Sequence, residues 1–246
     1  MQEIIKSNRG LIISCDIPIE ECQKVFRSTC RIEKVVGYKF GFELALRRGL
    51  NFIVDYARKY YGKEKIMIYD HQKGATDIPH TARSFVRTMK DAYVDAVIFY
   101  PQSGPNTQRA WTLEAQERGL GVIIGGLMTH NGYLRSEGGY MADESVEEIY
   151  INAIAQGVNN FALPATKNRI DYSRRLVDII KRKVEDPVFY FIGVGAQSGD
   201  LNDVTDMNLE RYHLIIGRGV HQVKGKNETD TEKNITKATL DYVNAL

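Results

Sequence analysis

Eight short apolar or β-branched runs recur along the chain, and that repeat constrains the fold more than any other feature. They are LIISC at 11–15, VVGYK at 35–39, KIMIY at 65–69, DAVIFY at 95–100, GVIIGGL at 121–127, NNFAL at 159–163, VFYFI at 188–192 and HLIIG at 213–217. Several are continuously apolar rather than alternating, which is how strands buried on both faces of a parallel sheet read. Helical periodicity fills the gaps. Residues 81–93 put Ala82, Phe85, Val86 and Met89 on one stripe, and residues 143–156 do the same with Val146, Ile149, Tyr150, Ala153 and Ile154. Both spacings suit helices packed on a sheet. Asp143 and the acidic residues after it mark the start of the second helix. Pro79 fits the first turn of the helix that follows it.

Eight β–α units predict an α/β fold, a closed (β/α)8 TIM barrel forming one domain over residues 1–246. A doubly wound open sheet is the rival, and the even spacing and the lack of an early GxGxxG motif argue against it. The length of 246 residues suits a single barrel, and 43% hydrophobic residues can fill one large core. A formal net charge of +2 gives no reason to expect a nucleic-acid or acidic-membrane partner. Cys15, Cys22 and Cys30 are odd in number and show no metal-ligand spacing with histidine, so reduced thiols in a cytosolic protein are expected. The first ten residues, MQEIIKSNRG, lack the apolar run of a signal peptide, and no apolar stretch is long enough to cross a bilayer. A soluble cytoplasmic protein is therefore expected. The longest gap between runs follows the fifth and contains THNGYLRSEGGYMAD, a polar, glycine-rich segment expected to act as a lid.

Barrel enzymes carry their chemistry at the C-terminal ends of strands. Those ends give Asp16, Lys39, Asp70, Lys73, Asp77, Thr129, Gln197 and Arg218. Any one of them alone reads as a solvated loop residue or a helix cap; their convergence on one rim does not. In YDHQKGATDIPHT at 69–81, Lys73 stands between Asp70 and Asp77. Nearby carboxylates favour the charged form of a lysine and raise its pKa. Such a lysine is either a positioned proton donor or part of a surface ion-pair cluster, and this segment alone does not decide between them. In FIGVGAQSGD at 191–200, Gly193, Gly195 and Gly199 allow a tight loop whose backbone N–H groups could cradle phosphate, with Gln197 as a further donor. In LIIGRGVHQ at 214–222, Gly217 lets backbone approach a ligand and Arg218 offers a two-pronged grip on phosphate oxygens. Loops after strands seven and eight frequently build a phosphate site in TIM barrels.

Taken in order along nearly the whole barrel, these segments resemble the orotidine 5'-phosphate decarboxylase family. LIISCDIP resembles the family's first strand, which implies that Asp16 contacts ribose. VVGYKFGFEL resembles the second, whose lysine joins the ribose contact and the charge network, implicating Lys39. DIPHT resembles an Asp-Ile-Pro-x-Thr stretch that reaches into the neighbouring subunit's site, which implies roles for Asp77, Ile78 and Thr81 and a homodimer with shared active sites. GLMTHNG implies that Thr129 contacts the pyrimidine, and GVGAQSGD with IIGRG implies that Gln197, Gly217 and Arg218 grip phosphate. Three features depart from the family pattern. The Asp70-x-x-Lys73-x-x-x-Asp77 spacing is longer by one residue on each side of the lysine, a bulge that Gly74 could permit. Ile192 stands where proline is common, and Thr129 where serine is more usual.

The resemblance implies conversion of orotidine 5'-phosphate to UMP and carbon dioxide with no metal or organic cofactor. Asp70 would destabilise the substrate carboxylate and Lys73 would stabilise and then protonate the C6 carbanion, while Asp77 of a second subunit and Lys39 hold the alternating charges. Two rival readings stand beside it. Relatives of the hexulose phosphate synthase and keto-gulonate phosphate decarboxylase type use magnesium, but they carry a glutamate on strand two where this chain has Lys39, and a lysine would repel the metal. A barrel that binds a nucleotide without turnover is the other, kept alive by the lengthened loop. Trp111 is expected to be packing. His71, His80, His130, His213 and His221 show no metal spacing, although His71, beside Asp70, is a secondary catalytic candidate. The charged run KGKNETDTEK at 224–233 is expected to be a solvated loop before the last helix.

Overall fold

The computed structural model describes residues 3–62, 64–70 and 74–246. Among them, eight parallel strands close into a barrel in sequence order. They are β1 (Arg9–Ser14), β2 (Val35–Phe40), β3 (Ile66–Tyr69), β4 (Ala96–Phe99), β5 (Gly121–Gly125), β6 (Asn160–Pro164), β7 (Val188–Ile192) and β8 (Tyr212–Ile216). The last strand pairs back onto the first, with Leu11 opposite Leu214 and Ile13 opposite Ile216. The closed, single TIM barrel expected from the eight runs is therefore the fold.

Closure explains why the runs are continuously apolar. Successive side chains on a strand point to opposite faces. In β4 and the residue after it, Ala96, Ile98 and Tyr100 enter the barrel interior with Ile12, Ile68, Ile123, Tyr190 and Ile215. Val97 and Phe99 point outward, into the layer between sheet and helices. Both faces are buried, so the run is apolar on both. Trp111, in the helix Pro105–Glu117, belongs to the outer layer as expected, with its ring centroid 4.8 Å from Phe85 and 5.7 Å from Phe99.

The helix expected over 81–93 is preceded by a 3-10 turn, Pro79–Thr81, and runs as Ala82–Asp91 with Ala82, Val86 and Met89 buried. The helix expected over 143–156 is Asp143–Ala155. Ala142 rather than Asp143 occupies its cap position, and the Asp143 carboxylate instead accepts hydrogen bonds from the backbone N–H (3.3 Å) and hydroxyl (2.9 Å) of Ser136. The charged run at 224–233 is a loop only in its first part. Helix Glu228–Asn244 starts inside it, because Asn227 caps the N–H of Asp230 at 2.9 Å and the acidic first turn suits the helix dipole.

The segment after β5 is anchored. Leu134 and Met141 bridge its two arms around a 3-10 turn, Arg135–Glu137. Arg169, 3% exposed, forms a two-pronged pair with Glu137 and also donates to the carbonyls of Met128 (3.0 Å) and His130 (2.6 Å). The hydrogen bonds from Arg169, aided by backbone N–H groups of Leu134 and Tyr133 and opposed by burial, hold the Glu137 carboxyl down to about 2. No helix among the described residues is long and apolar enough to cross a membrane.

Candidate functional site

A cavity of about 370 Å3 opens at the C-terminal ends of the strands. Asp16, Lys39, Asp70, Thr129, Gln197, Gly217 and Arg218, all picked out from the sequence, line it together. The strand ladder sets the first three side by side. Ser14 is in register with Lys39 and Lys39 with Ile68, and the pairing continues past the strand ends, where Cys15 N–H donates to the Lys39 carbonyl (2.7 Å) and Asp70 N–H to that of Phe40 (2.9 Å).

The Lys39 ammonium, 5% exposed, sits 2.7 Å from Asp16 Oδ2 and 3.1 Å from Asp70 Oδ2. Burial favours a neutral amine, but Asp70 and Asp16 outweigh it and hold Lys39 above the ordinary lysine value, so it is charged. The Ser14 hydroxyl donates to Asp16 Oδ2 at 2.8 Å and steadies that carboxylate. Gly41 is required here, since a Cβ at that position would lie 1.8 Å from Asp16 Oδ1. The ammonium occupies the place between two carboxylates that a divalent cation would need, so these residues do not fit a metal ion.

The loops after β7 and β8 form the opposite wall. Residues 193–199 fold back on themselves, with hydrogen bonds from Gly195 N–H to the Gly199 carbonyl (2.8 Å), Ser198 N–H to that of Gly195 (2.9 Å) and Gly199 N–H to that of Gly193 (3.1 Å). Three N–H groups of the expected cradle are thus used within the loop, which makes it rigid and corrects the picture of a fully open nest. Gly193 and Gly195 adopt left-handed backbone, at φ 89° and 76°. Beneath them, the Tyr242 hydroxyl of helix Glu228–Asn244 stands 2.4 Å from where a Cβ of either Gly195 or Gly219 would be, so the last helix supports both loops. Gln197 and Arg218 are exposed at the mouth. Among the described residues Arg218 has no carboxylate partner, unlike Lys39 on the opposite wall.

Other expected site residues lie elsewhere. Asp77 and Ile78 are exposed and do not line the cavity. Asp77 Oδ1 accepts from Ile78 N–H at 2.7 Å, and the Ile78 carbonyl takes the Thr81 hydroxyl (2.7 Å) and the Trp111 indole N–H (3.1 Å). Trp111 therefore anchors this segment as well as packing. Lys73 and His71 lie outside the described residues. Gly74, proposed as the site of a bulge, is needed for close packing: a Cβ there would meet the Phe99 ring at 2.7 Å. Left-handed backbone falls instead on Ala75, at φ 63°. Sequence reading missed Ser14 and His221 as cavity residues. The two-residue strand period from Ser14 to Asp16 and the single helical turn from Arg218 to His221 were the available signals.

No family model matches the chain. It is 26% identical over 227 residues to the orotidine 5'-phosphate decarboxylase of Methanococcus maripaludis, covering 92% of this chain and 94% of that protein. It is 27% identical over 226 residues to the decarboxylase of the same name from Methanosarcina acetivorans, covering 91% and 92%. Among solved structures, orotidine 5'-monophosphate decarboxylase from Methanocaldococcus jannaschii, complexed with inhibitor BMP, superposes with a TM-score of 0.75 at 20% identity over 95% of this chain and 98% of that one. The Sulfolobus solfataricus decarboxylase does so with a TM-score of 0.68 at 18% identity, over 97% and 100%; these two likenesses concern the fold. The chain is thus similar to orotidine 5'-phosphate decarboxylases, at 26% identity along 92% of its length, and its strand-end residues gather in one cavity.

Proposed function

We propose that residues 1–246 form one catalytic domain that decarboxylates orotidine 5'-phosphate to UMP and carbon dioxide at this cavity, without metal or organic cofactor. The observation that carries the reading is a buried, charged Lys39 between Asp16 and Asp70, facing across the same cavity an Arg218 that has no carboxylate partner among the described residues. One wall suits an orotate ring and ribose, the other a phosphate. Gln197, Arg218 and the backbone at Gly217 bind the phosphate, Thr129 the pyrimidine, and Asp16 with Lys39 the ribose. Asp70 disfavours the substrate carboxylate by like charge, relieved as carbon dioxide leaves. Lys73 stabilises the C6 carbanion and protonates it, and Lys39 balances the carboxylates around it. Phosphate binding remote from the reacting carbon supplies energy for organising the site.

Asp77, Ile78 and Thr81 act in the site of a second copy, making the working unit a homodimer. Their exposure away from their own cavity supports this, as does Ile78, an aliphatic side chain left 50% exposed. The names of the relatives and the inhibitor complex of the Methanocaldococcus jannaschii protein agree with the substrate class.

Purified protein incubated with orotidine 5'-phosphate and excess chelator is expected to form UMP, and Lys73→Ala to abolish turnover almost completely. Activity that disappears with chelator and returns with magnesium on a sugar phosphate would replace this reading with the metal-dependent one. Tight UMP binding with no carbon dioxide release would replace it with a nucleotide-binding barrel.

A further inference from the structure

We propose that His221 is a further ligand-binding residue of this cavity, its imidazole taking phosphate oxygens of the nucleotide beside Arg218 and making nucleotide affinity depend on pH. The inference rests on the reading of the cavity as a nucleotide monophosphate site. His221 lines the cavity together with Gly217, Arg218 and Gln197. Its backbone N–H closes the turn onto the Gly217 carbonyl at 3.2 Å, and its Nε2 lies 3.4 Å from where a Gly217 Cβ would be. The imidazole is thus held against the stretch of backbone expected to meet phosphate. It is half-buried, and among the described residues neither ring nitrogen has a hydrogen-bond partner. A polar ring in a cavity wall without a protein partner is a group with bonding capacity to give to a ligand.

The ionisable groups facing it are Asp16 beyond β1, Arg218 on its own turn and Glu21 on the helix Ile19–Thr29. Burial lowers the imidazole pKa below the ordinary histidine value, Asp16 opposes this, Arg218 adds to it and Glu21 opposes it, for a net lowering. The surroundings of the ring therefore favour its neutral form. A phosphate dianion against the ring favours the imidazolium. By linkage, affinity rises as pH falls through the pKa of the complex and levels off below that of the free protein. The phosphate's own second ionisation, near roughly pH 6, falls in the same range, so a variant lacking the imidazole is needed to separate the two.

The test is calorimetric titration of UMP into the native protein and His221→Gln from about pH 5 to about pH 8, with the ring followed by NMR in the native protein. The expected result is an affinity ratio, native over variant, that grows about tenfold toward the acidic end, the equivalent of one pKa unit. The His221 resonance should also titrate at higher pH with UMP bound than without. Parallel affinity curves for the two proteins, or an imidazole whose titration is indifferent to UMP, would overturn the role of His221 while leaving the nucleotide site standing. Failure of both proteins to bind UMP at any pH would overturn the nucleotide reading and this inference with it.

Discussion

Lys39 and His213 sit in the same barrel, are both buried, and are driven to opposite ionisation states. Lys39, 5% exposed at the C-terminal rim, keeps its charge because two carboxylates lie within 3.1 Å. His213, fully buried toward the other end of β8, has no hydrogen-bond partner on either ring nitrogen among the described residues. The Gly10 backbone lies close without completing a bond, and the ring packs beside Tyr190 at 5.3 Å between centroids. Burial, with help from Arg211 and against Gly10, pushes its pKa down to about 3, so the ring is neutral. Burial alone therefore does not set ionisation here; the partners supplied by neighbouring strand ends do. The rim gives its buried cation two carboxylates, and the surroundings of His213 give it none.

The sharpest way to break that contrast is Lys39→Met, which keeps the volume and removes the charge. It strips Asp70, 7% exposed, and Asp16 of a shared counter-charge. Breaking a buried pair from one side should cost about 3 kcal/mol. Urea unfolding should show that loss, and turnover of orotidine 5'-phosphate should fall at least a hundredfold. Wild-type stability in this variant would mean that the rim does not depend on the pair.

A milder test acts on His213. The His213 pKa is about 6.5 unfolded and about 3 folded. Between these values the unfolded chain binds the extra proton, so stability is fully present above about pH 6.5 and is lost as pH falls toward about 3. Each pH unit in that window removes about 1 kcal/mol. In His213→Leu that part of the acid sensitivity should disappear, and unfolding midpoints compared at about pH 5 and about pH 7 should converge. Equal acid slopes for the two proteins would show that His213 is not shielded from protonation.

The smallest expected effect lies in the wall built by the loops after β7 and β8, where backbone shape rather than charge is at stake. Gly195→Ala places a Cβ on left-handed backbone, at φ 76°, and against the Tyr242 hydroxyl. It should cost about 1 kcal/mol, read as a few-fold weaker UMP binding. An unchanged UMP affinity would mean that loop shape does not set the phosphate grip.

Much of this was legible in the residues. Eight apolar runs foretold the barrel because a closed sheet must bury both faces of every strand. The strand ends picked out Asp16, Lys39, Asp70, Thr129, Gln197, Gly217 and Arg218, since a barrel directs whatever follows its strands to one rim. The loops were read less well. Counting residues from Asp70 to Asp77 suggested a bulge that Gly74 could permit; it did not show that this glycine packs against Phe99 or that Ala75 takes left-handed backbone. A stretch rich in glycine and polar residues suggested a lid after β5; what its composition did not show is that Arg169, from beyond β6, grips it through Glu137.

The sequence by itself determined the period of the strands, the residues that end them and the charge each brings, because these follow from local pattern and side-chain chemistry. The tertiary structure alone decided which charges meet. Lys39 and Asp16 are 23 residues apart in the chain, and Tyr242 reaches under Gly195 from the last helix. Such distances along the chain close only when the barrel does, and with them the balance of burial against partners that leaves one buried group charged and another neutral.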